Sequence, residues 1–280
     1  MSAEQHNPAA AERSWLLRGV HRGRDMPWGA DPSVYDPRAV ERTLRWMGLV
    51  FGERRWFRLD ARGFENVPRA PVMLVSNHSG GTTIPDTWGF AFAWYRRFGV
   101  ARPLHFMTHE MILATETTGR FFAQRGALRA SSAAAREALL GHGRDVIVMP
   151  GGDVDAWRPH RRRYDVEFAG RTGYARLALE LGVPIVPVAN AGPHDTLFVI
   201  SDGRRLARAL GLHRIARAEI WPLHVSLPWG LALGPWPHLP IPARFRYRIG
   251  PPIRPAGTVT ALDAHVRDAV QSLLDELAAE

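Results

Sequence analysis

Short apolar runs rich in valine and isoleucine alternate along the chain with stretches whose apolar residues recur every three or four positions. The first kind predicts strands at residues 72–76, 104–108, 146–149, 184–188 and 245–249, with a strand and turn over 56–67. The second predicts helices at 37–52, 86–97, 132–140 and 172–181. A last helix starts from Thr260, where Thr260 and Asp263 make a capping box and Leu262, Val266, Val270, Leu273, Leu274 and Leu277 an apolar stripe. Strands apolar on both faces, each followed by a helix, predict an α/β fold with a largely parallel central sheet flanked by helices. The helix at 37–52 is an N-terminal amphipathic one. Val40, Leu44, Met47, Val50 and Phe51 line one side with Arg42 and Arg45 between them, which suits packing on the sheet or lying in a lipid headgroup layer.

With 46% hydrophobic residues in 280, the chain can bury a full core. Residues 1–35 are polar and small and predict a flexible N-terminal segment, leaving 36–280 as a single domain.

In parallel sheets of this kind the chemistry lies beyond the carboxyl ends of the strands. Two glycine-bearing stretches fall there. Ser76-Asn77-His78-Ser79-Gly80-Gly81 follows the strand at 72–76 and leads to Asp86, and Met149-Pro150-Gly151-Gly152-Asp153 follows the strand at 146–149. An imidazole at a strand end can take a proton from a hydroxyl, and a carboxylate nearby can hold its tautomer. Gly80 and Gly81 let the loop turn sharply and let a ligand approach the backbone. The plain alternative is a histidine that hydrogen-bonds its own loop. For Asp153 and Asp155 the favoured reading is turn capping after two glycines.

These stretches, with Gly119-Arg120-Phe121-Phe122-Ala123-Gln124-Arg125-Gly126 and Val183-Pro184-Ile185-Val186-Pro187-Val188, resemble in order and spacing the four motifs of the glycerolipid acyltransferase superfamily. The resemblance covers roughly residues 70–200. It implies a glycerol-phosphate acyltransferase-like fold, a catalytic His78 and Asp86, and substrate contacts from Gly80, Gly81, Arg125, Pro150, Gly151 and Gly152. It also implies transfer of a fatty acyl group from an acyl-CoA or acyl carrier protein thioester to a hydroxyl of a glycerolipid or related lipid, without a further cofactor. In this chain seven residues, Ser79 to Pro85, separate His78 from Asp86, where the family pattern has four. Met149 stands where the family often has a glutamate, which is more similar to the mono- and diacylglycerol acyltransferase branch and its neutral acceptors. The longer gap keeps open a second reading, a lipid- or membrane-binding protein that retains the fold without turnover.

The absence of cysteine rules out disulfides and thiolate nucleophiles. All 36 Lys+Arg positions are arginine, so a P-loop lysine is excluded too, and no Gly-x-Ser-x-Gly elbow occurs. No set of His or acidic residues has metal-ligand spacing, His105 and His109 included. The net charge of +9 suits anionic partners, among them an anionic membrane surface, and no motif points to nucleic acid. Arg161-Arg162-Arg163 is either part of such a surface or a solvated charged run. The stretch 221–242 is rich in Trp and Pro and free of Asp, Glu and Arg, which predicts a broken hairpin over the core or an apolar patch in contact with lipid. No apolar run reaches the roughly 18–20 residues of a spanning helix, and the N-terminus lacks the apolar region of a secretory signal. The expectation is a cytoplasmic protein peripheral to the inner face of the cell membrane.

Overall fold

The apolar runs pair edge to edge because residues apolar on both faces can be buried only inside a covered sheet. In the computed structural model, which describes residues 27–69, 71–211 and 219–280, they form one seven-stranded sheet. Its spatial order is β1 (Phe57–Arg62), β10 (Ala243–Ile249), β6 (Ile185–Ala191), β2 (Met73–Ser76), β5 (Asp145–Val148), β3 (Leu104–Thr108) and β4 (Ala127–Arg129). The five strands from β6 to β4 are parallel; β10 runs antiparallel to β6 and carries β1 parallel to itself. Register decides where the loops emerge. Val75 pairs with Val148 and Ser76 with Val188, so residues 77–81 and 149–153 leave the sheet at one end, beside residues 189–191 where β6 runs on along β10.

Alternation along each strand feeds two cores. Leu74, Val186, Val188, Phe245 and Tyr247 face α2 (Pro85–Phe98) with its Phe90 and Trp94, and α1 (Pro37–Val50) packs on the same side. Met73, Val75, Val146 and Ile185 face the opposite layer, built by α4 (Ser132–Arg136, running on into a π turn), α6 (Gly173–Leu181) and the C-terminal α8 (Val259–Ala279). Between them in sequence lie α3 (Glu116–Ala123), α5 (Gly152–Ala156) and α7 (Arg204–Ala209). On α8, Leu262, Val266, Val270, Leu274 and Leu277 are buried, worth about 1.5–3 kcal/mol each against exposure.

The stretch 221–242 supplies two strands of a small antiparallel sheet, β7 (Phe198–Ser201), β8 (Leu223–Ser226) and β9 (Gly230–Leu233). Phe198 pairs with Val225 and Val225 with Leu231, so these three side chains share one face, and all three are exposed. Val199 and His224 point the other way and are buried.

Three expectations are corrected. Residues 1–26 lie outside the described residues, but 27–35 are held against the domain. Trp28 Nε1 donates to Glu116 at 3.0 Å, the Arg129 amide donates to Gly29 O at 2.8 Å, and Tyr35 is buried. The last helix is capped by Thr258, whose Oγ1 accepts the Ala261 amide at 3.2 Å, while Asp263 accepts from Tyr174 Oη at 2.8 Å. On α1, Val40 and Met47 are buried as expected, but Val50 is exposed, as are Trp46 and Leu49 beside Arg42 and Arg45.

Candidate functional site

β2 ends at Ser76, opposite Val188 of β6, and just beyond it two asparagines bind the two strands together. Asn77 Nδ2 donates to Asn190 O at 2.9 Å, and the Asn190 amide donates to Asn77 Oδ1 at 2.8 Å. His78 is the next residue. From there the seven residues up to Asp86 are wound back by three left-handed positions: Gly80 (φ 95°), Gly81 (φ 68°) and Ile84 (φ 45°). A side chain on Gly80 would collide with Pro85 and Pro193 O, so glycine is required there for space as well as for φ. Ile84 has no such freedom and carries about 1–2 kcal/mol of strain. That turn delivers Pro85 and Asp86 as the first two residues of α2, and His78 Nδ1 lies 2.6 Å from Asp86 Oδ2. The longer gap therefore does not part the two residues.

Asp86 is fully buried and multiply bonded. Its Oδ2 also accepts the Ser79 amide at 2.8 Å, its Oδ1 the Thr87 amide at 2.7 Å, and Tyr247 Oη donates to its carbonyl at 2.8 Å. With a carboxylate at Nδ1, the imidazole carries its proton there and leaves Nε2 with a free lone pair. Nε2 has no hydrogen-bond partner among the described residues, and the side chain keeps 14% exposure. Burial pushes the imidazole pKa down, but the charge and hydrogen bond of Asp86, with Asp155 behind, outweigh it; Arg158 opposes them, and the net shift is upward.

The turn after β5 holds the main chain of the same residue. Asp155 Oδ2 accepts the His78 amide at 2.5 Å, and Arg158 Nη1 donates to His78 O at 2.6 Å. Asp155 and Arg158 are themselves paired, Nη1 to Oδ1, at 2.6 Å, and both are buried. Arg158 also caps the carbonyls of Arg162 (3.1 Å) and Arg163 (2.8 Å), and its own carbonyl accepts from His194 Nε2 at 2.7 Å. Burial holds His194 neutral, well below its ordinary pKa. Gly151 has ordinary helical φ, yet a Cβ there would overlap Glu167 O and the Asp155 side chain, so glycine serves close packing. The carbonyls of Pro150 and Gly151 are covered by Arg171 Nη1 at 3.3 and 3.1 Å.

Arg125 is bonded to α1 and α3. Its Nε donates to Thr43 Oγ1 at 2.7 Å, its Nη1 to Phe121 O at 2.6 Å, and the guanidinium lies over the Phe121 ring, so its bonds tie α3 to α1. In the arginine triplet, Arg162 pairs with Asp165 and Glu167, and Arg163 lies 3.9 Å from Asp195. His105 is buried, with Nδ1 on Gly126 O at 3.2 Å, and His109 accepts the Met111 amide at 3.2 Å. Among the described residues no group of three His, Cys, Asp or Glu side chains is placed to hold a metal. Asp155, Arg158 and Asn190 were not read from the sequence as parts of this site; they lie 77, 80 and 111 or more positions from the residues they hold, and only the fold joins them.

The small sheet touches the same loop. Thr82 Oγ1 donates to Pro235 O at 2.8 Å, Thr83 Oγ1 and His238 Nε2 are 3.2 Å apart, and Gly81 packs under Trp157 and His238. A side chain at 81 would press on both rings.

A family model described as Acyltransferase matches residues 58–191, the segment that holds the paired loop, the glycine turn and the five parallel strands. This segment, just under half of the chain, is similar to the glycerolipid acyltransferase superfamily. An uncharacterized protein of Mycobacterium tuberculosis (strain ATCC 25618 / H37Rv) is 26% identical over 264 residues, covering 90% of this chain and 70% of that one. A Gallus gallus protein named "DGAT1/2-independent enzyme synthesizing storage lipids" is 24% identical over 223 residues, covering 79% of this chain and 60% of that one. The crystal structure of the 1-acyl-sn-glycerophosphate (LPA) acyltransferase PlsC from Thermotoga maritima is similar in fold, with a TM-score of 0.50 at 20% identity over 99% of this chain and 85% of that chain. The acyltransferase sheet with its flanking helices is thus the architecture on which His78 and the glycine turn are mounted.

Proposed function

We propose that this acyltransferase moves a fatty acyl group from an acyl-CoA or acyl carrier protein thioester to the hydroxyl of a neutral glycerolipid, with His78 as general base. The observation that carries the reading is the His78 Nδ1 to Asp86 Oδ2 contact of 2.6 Å, which leaves Nε2 free to take the hydroxyl proton. The hydroxyl oxygen attacks the thioester carbonyl, the tetrahedral oxyanion collapses, and the thiolate leaves with the proton held on His78. The amides of Ser79 and Gly152 are committed, to Asp86 and to Met149 O. Those of Gly80 and Gly81 have no acceptor among the described residues and are the donors we assign to the oxyanion.

Two features favour a neutral acceptor over a phosphorylated one. Met149 replaces an acidic residue before the glycine turn, and Arg125, the position that resemblance offers for a phosphate, is bonded to Thr43 and Phe121. The chicken relative named for storage-lipid synthesis points the same way. Lipid would reach the site from the apolar face of the small sheet, since residues 235–238, which follow its last strand, rest on the loop after His78. Among the described residues no helix is long and apolar enough to cross a membrane, so this face is the contact we assign to the bilayer. The intact His78–Asp86 pair speaks against the lipid-binding reading without turnover.

The test is incubation of the protein with labelled acyl-CoA or acyl carrier protein and a panel of monoacylglycerol, diacylglycerol, long-chain alcohol and lysophospholipid acceptors, His78→Ala beside it. Labelled neutral lipid from the wild type alone supports the proposal. Product only from lysophosphatidate overturns the acceptor assignment, and bound lipid without product from any donor favours the non-catalytic reading.

A further inference from the structure

The imidazole of His78 is aimed by two things: its bond to Asp86, and the orientation of the main chain that carries it. The second has to be enforced, because Gly80 and Gly81 follow at once and glycine restrains a loop least. The main-chain groups of residue 78 are held by a single buried unit. Asp155 takes the amide and Arg158 the carbonyl, and the two side chains are joined to each other. Arg158 Nη1 has two hydrogens and three oxygens in range, His78 O, Asp155 O at 2.8 Å and Asp155 Oδ1, so one hydrogen is shared. Its Nε and Nη2 fasten it to Arg162 O and Arg163 O, and Asp155 also accepts the Glu167 amide at 3.3 Å. All these groups belong to the segment after β5, whereas Asp86 comes from α2.

We propose that the buried Asp155–Arg158 pair is the positioning unit for His78, fixing the main chain on both sides of the imidazole so that Nε2 points where the acceptor hydroxyl arrives. The pair touches neither ring nor substrate and acts through His78, so the inference rests on His78 being the general base. It also gives the glycine turn a second duty. Gly151 is packed against Asp155, so a ligand that shifts the turn shifts the base.

A mere brace between two loops would not affect the titration of the ring, whereas a charge pair this close must. Three ionic groups face His78: Asp86 from α2, and Asp155 and Arg158 from the segment after β5. Asp155 stabilises the imidazolium and Arg158 opposes it. Asp155→Asn keeps an acceptor for the His78 amide but removes one of the two carboxylates that oppose Arg158, and should lower the His78 pKa. Arg158→Gln should raise it. Arg158→Lys keeps the charge and loses the fork, leaving the pKa near that of the wild type while the rate falls.

The experiment is nitrogen-detected NMR titration of His78 in the full chain, which needs no substrate, alongside kcat and KM for labelled acyl transfer. The expected results are opposite pKa shifts for the two neutral variants and a fall in kcat of about 10- to 100-fold, the usual effect of removing an orienting partner, with KM little changed. Should a single variant fail to fold, the Asp155→Asn/Arg158→Gln pair, in which no charge is left uncompensated, is measured instead. It should titrate His78 near the wild-type value and still lose kcat. Folded variants with unchanged titration and unchanged kcat would overturn the proposal. A wild type that transfers no acyl group would instead remove the general-base reading, and the titration alone then decides whether the pair governs His78.

Discussion

Asp86 Oδ2 lies 2.6 Å from His78 Nδ1 and 2.8 Å from the Ser79 amide, so a single carboxylate oxygen holds both the ring and the residue after it. This shared oxygen makes Asp86 a partner of the loop as well as of the His78 ring. Replacing it by Asn keeps the size but offers at best one acceptor oxygen, and removes the charge that stabilises the imidazolium.

For acyl transfer, His78→Ala should therefore lower kcat by about 100- to 10,000-fold, and Asp86→Asn by orders of magnitude with little change in KM. The pH profile carries a sign. A general base works in its neutral form, so kcat/KM rises with pH through the His78 pKa, which the folded protein raises above 6.5. Asp86→Asn deletes the largest influences that raise it, so the ascending limb should move to lower pH while the plateau falls. A limb that stays in place would mean that another group titrates.

Much of the site was legible because its strands are short continuous runs of Val, Leu and Ile ending in glycine turns, as at Val72–Ser76 and Asp145–Met149. What was not legible depends on distant parts of the chain. β4 is three residues long with no apolar run of its own, and exists because Phe106, Met107 and Thr108 give it a register. Ile84 adopts a left-handed conformation that nothing in its residue type signals, and that conformation closes the longer gap to Asp86. Asp155 reads locally as a turn cap, and only the approach of the β2 and β5 loops turns it toward His78. In the stretch 221–242, read as a broken hairpin or an apolar patch, β8 and β9 do form a hairpin, but prolines at 222, 228, 235, 237, 240 and 242 hide the strand bounds and nothing local announces the pairing with β7.

A buried ion pair far from the chemistry should govern stability. Arg102 Nε lies 2.6 Å from Asp145 Oδ2, and Asp145 Oδ1 accepts the Val72 amide at 2.9 Å, tying the start of β5 to the chain entering β2. Burial pushes the Asp145 carboxyl upward and Arg102 opposes it. Arg102→Met would leave an uncompensated buried carboxylate, and urea unfolding should show a loss of about 3–5 kcal/mol. The double variant with Asp145→Asn should recover part of that loss. Equal losses in both would mean that packing of Arg102 on Trp94 and Phe98 is what matters.

His105 should make the fold sensitive to acid. Burial is the main cause that lowers its pKa from 6.5 to about 4. Between those values the unfolded chain binds a proton that the folded one does not, so this contribution is complete above pH 6.5 and lost as pH falls toward 4. A fall from 6.5 to about 4 corresponds to about 3 kcal/mol at the acid end. His105→Gln removes the titration, so the difference in unfolding free energy between wild type and variant should drift in favour of the variant across that window. A constant difference would show that His105 is not the group responsible.

The exposed apolar residues of the small sheet bear on how lipid arrives. Phe198, Val225 and Leu231 share one face, and Trp229, Trp236 and Leu239 stand exposed beside them, an apolar surface that water disfavours unless something covers it. Trp229 and Trp236 anchor their indole Nε1 groups to Pro237 O and Leu233 O, so their rings are held in place while remaining about half exposed. Trp46 and Leu49 on α1, with Arg42 and Arg45, add an exposed surface of mixed character. Binding to anionic liposomes should therefore have two parts. The arginine part, on the order of 1 kcal/mol per side chain near the surface, should be screened as salt rises; the apolar part should not. Trp229→Ser/Trp236→Ser should remove the salt-resistant part. Because both rings are already exposed, the melting temperature should change little, which separates a lipid contact from a core defect. Arg42→Ser/Arg45→Ser should do the reverse, lowering binding at low salt and leaving the salt-resistant part intact. Acyl transfer to vesicle-borne acceptor should fall with the tryptophan variant, while transfer to a detergent-dispersed acceptor should not. Equal activity of wild type and tryptophan variant on vesicles, with equal binding, would assign this face to something other than a membrane.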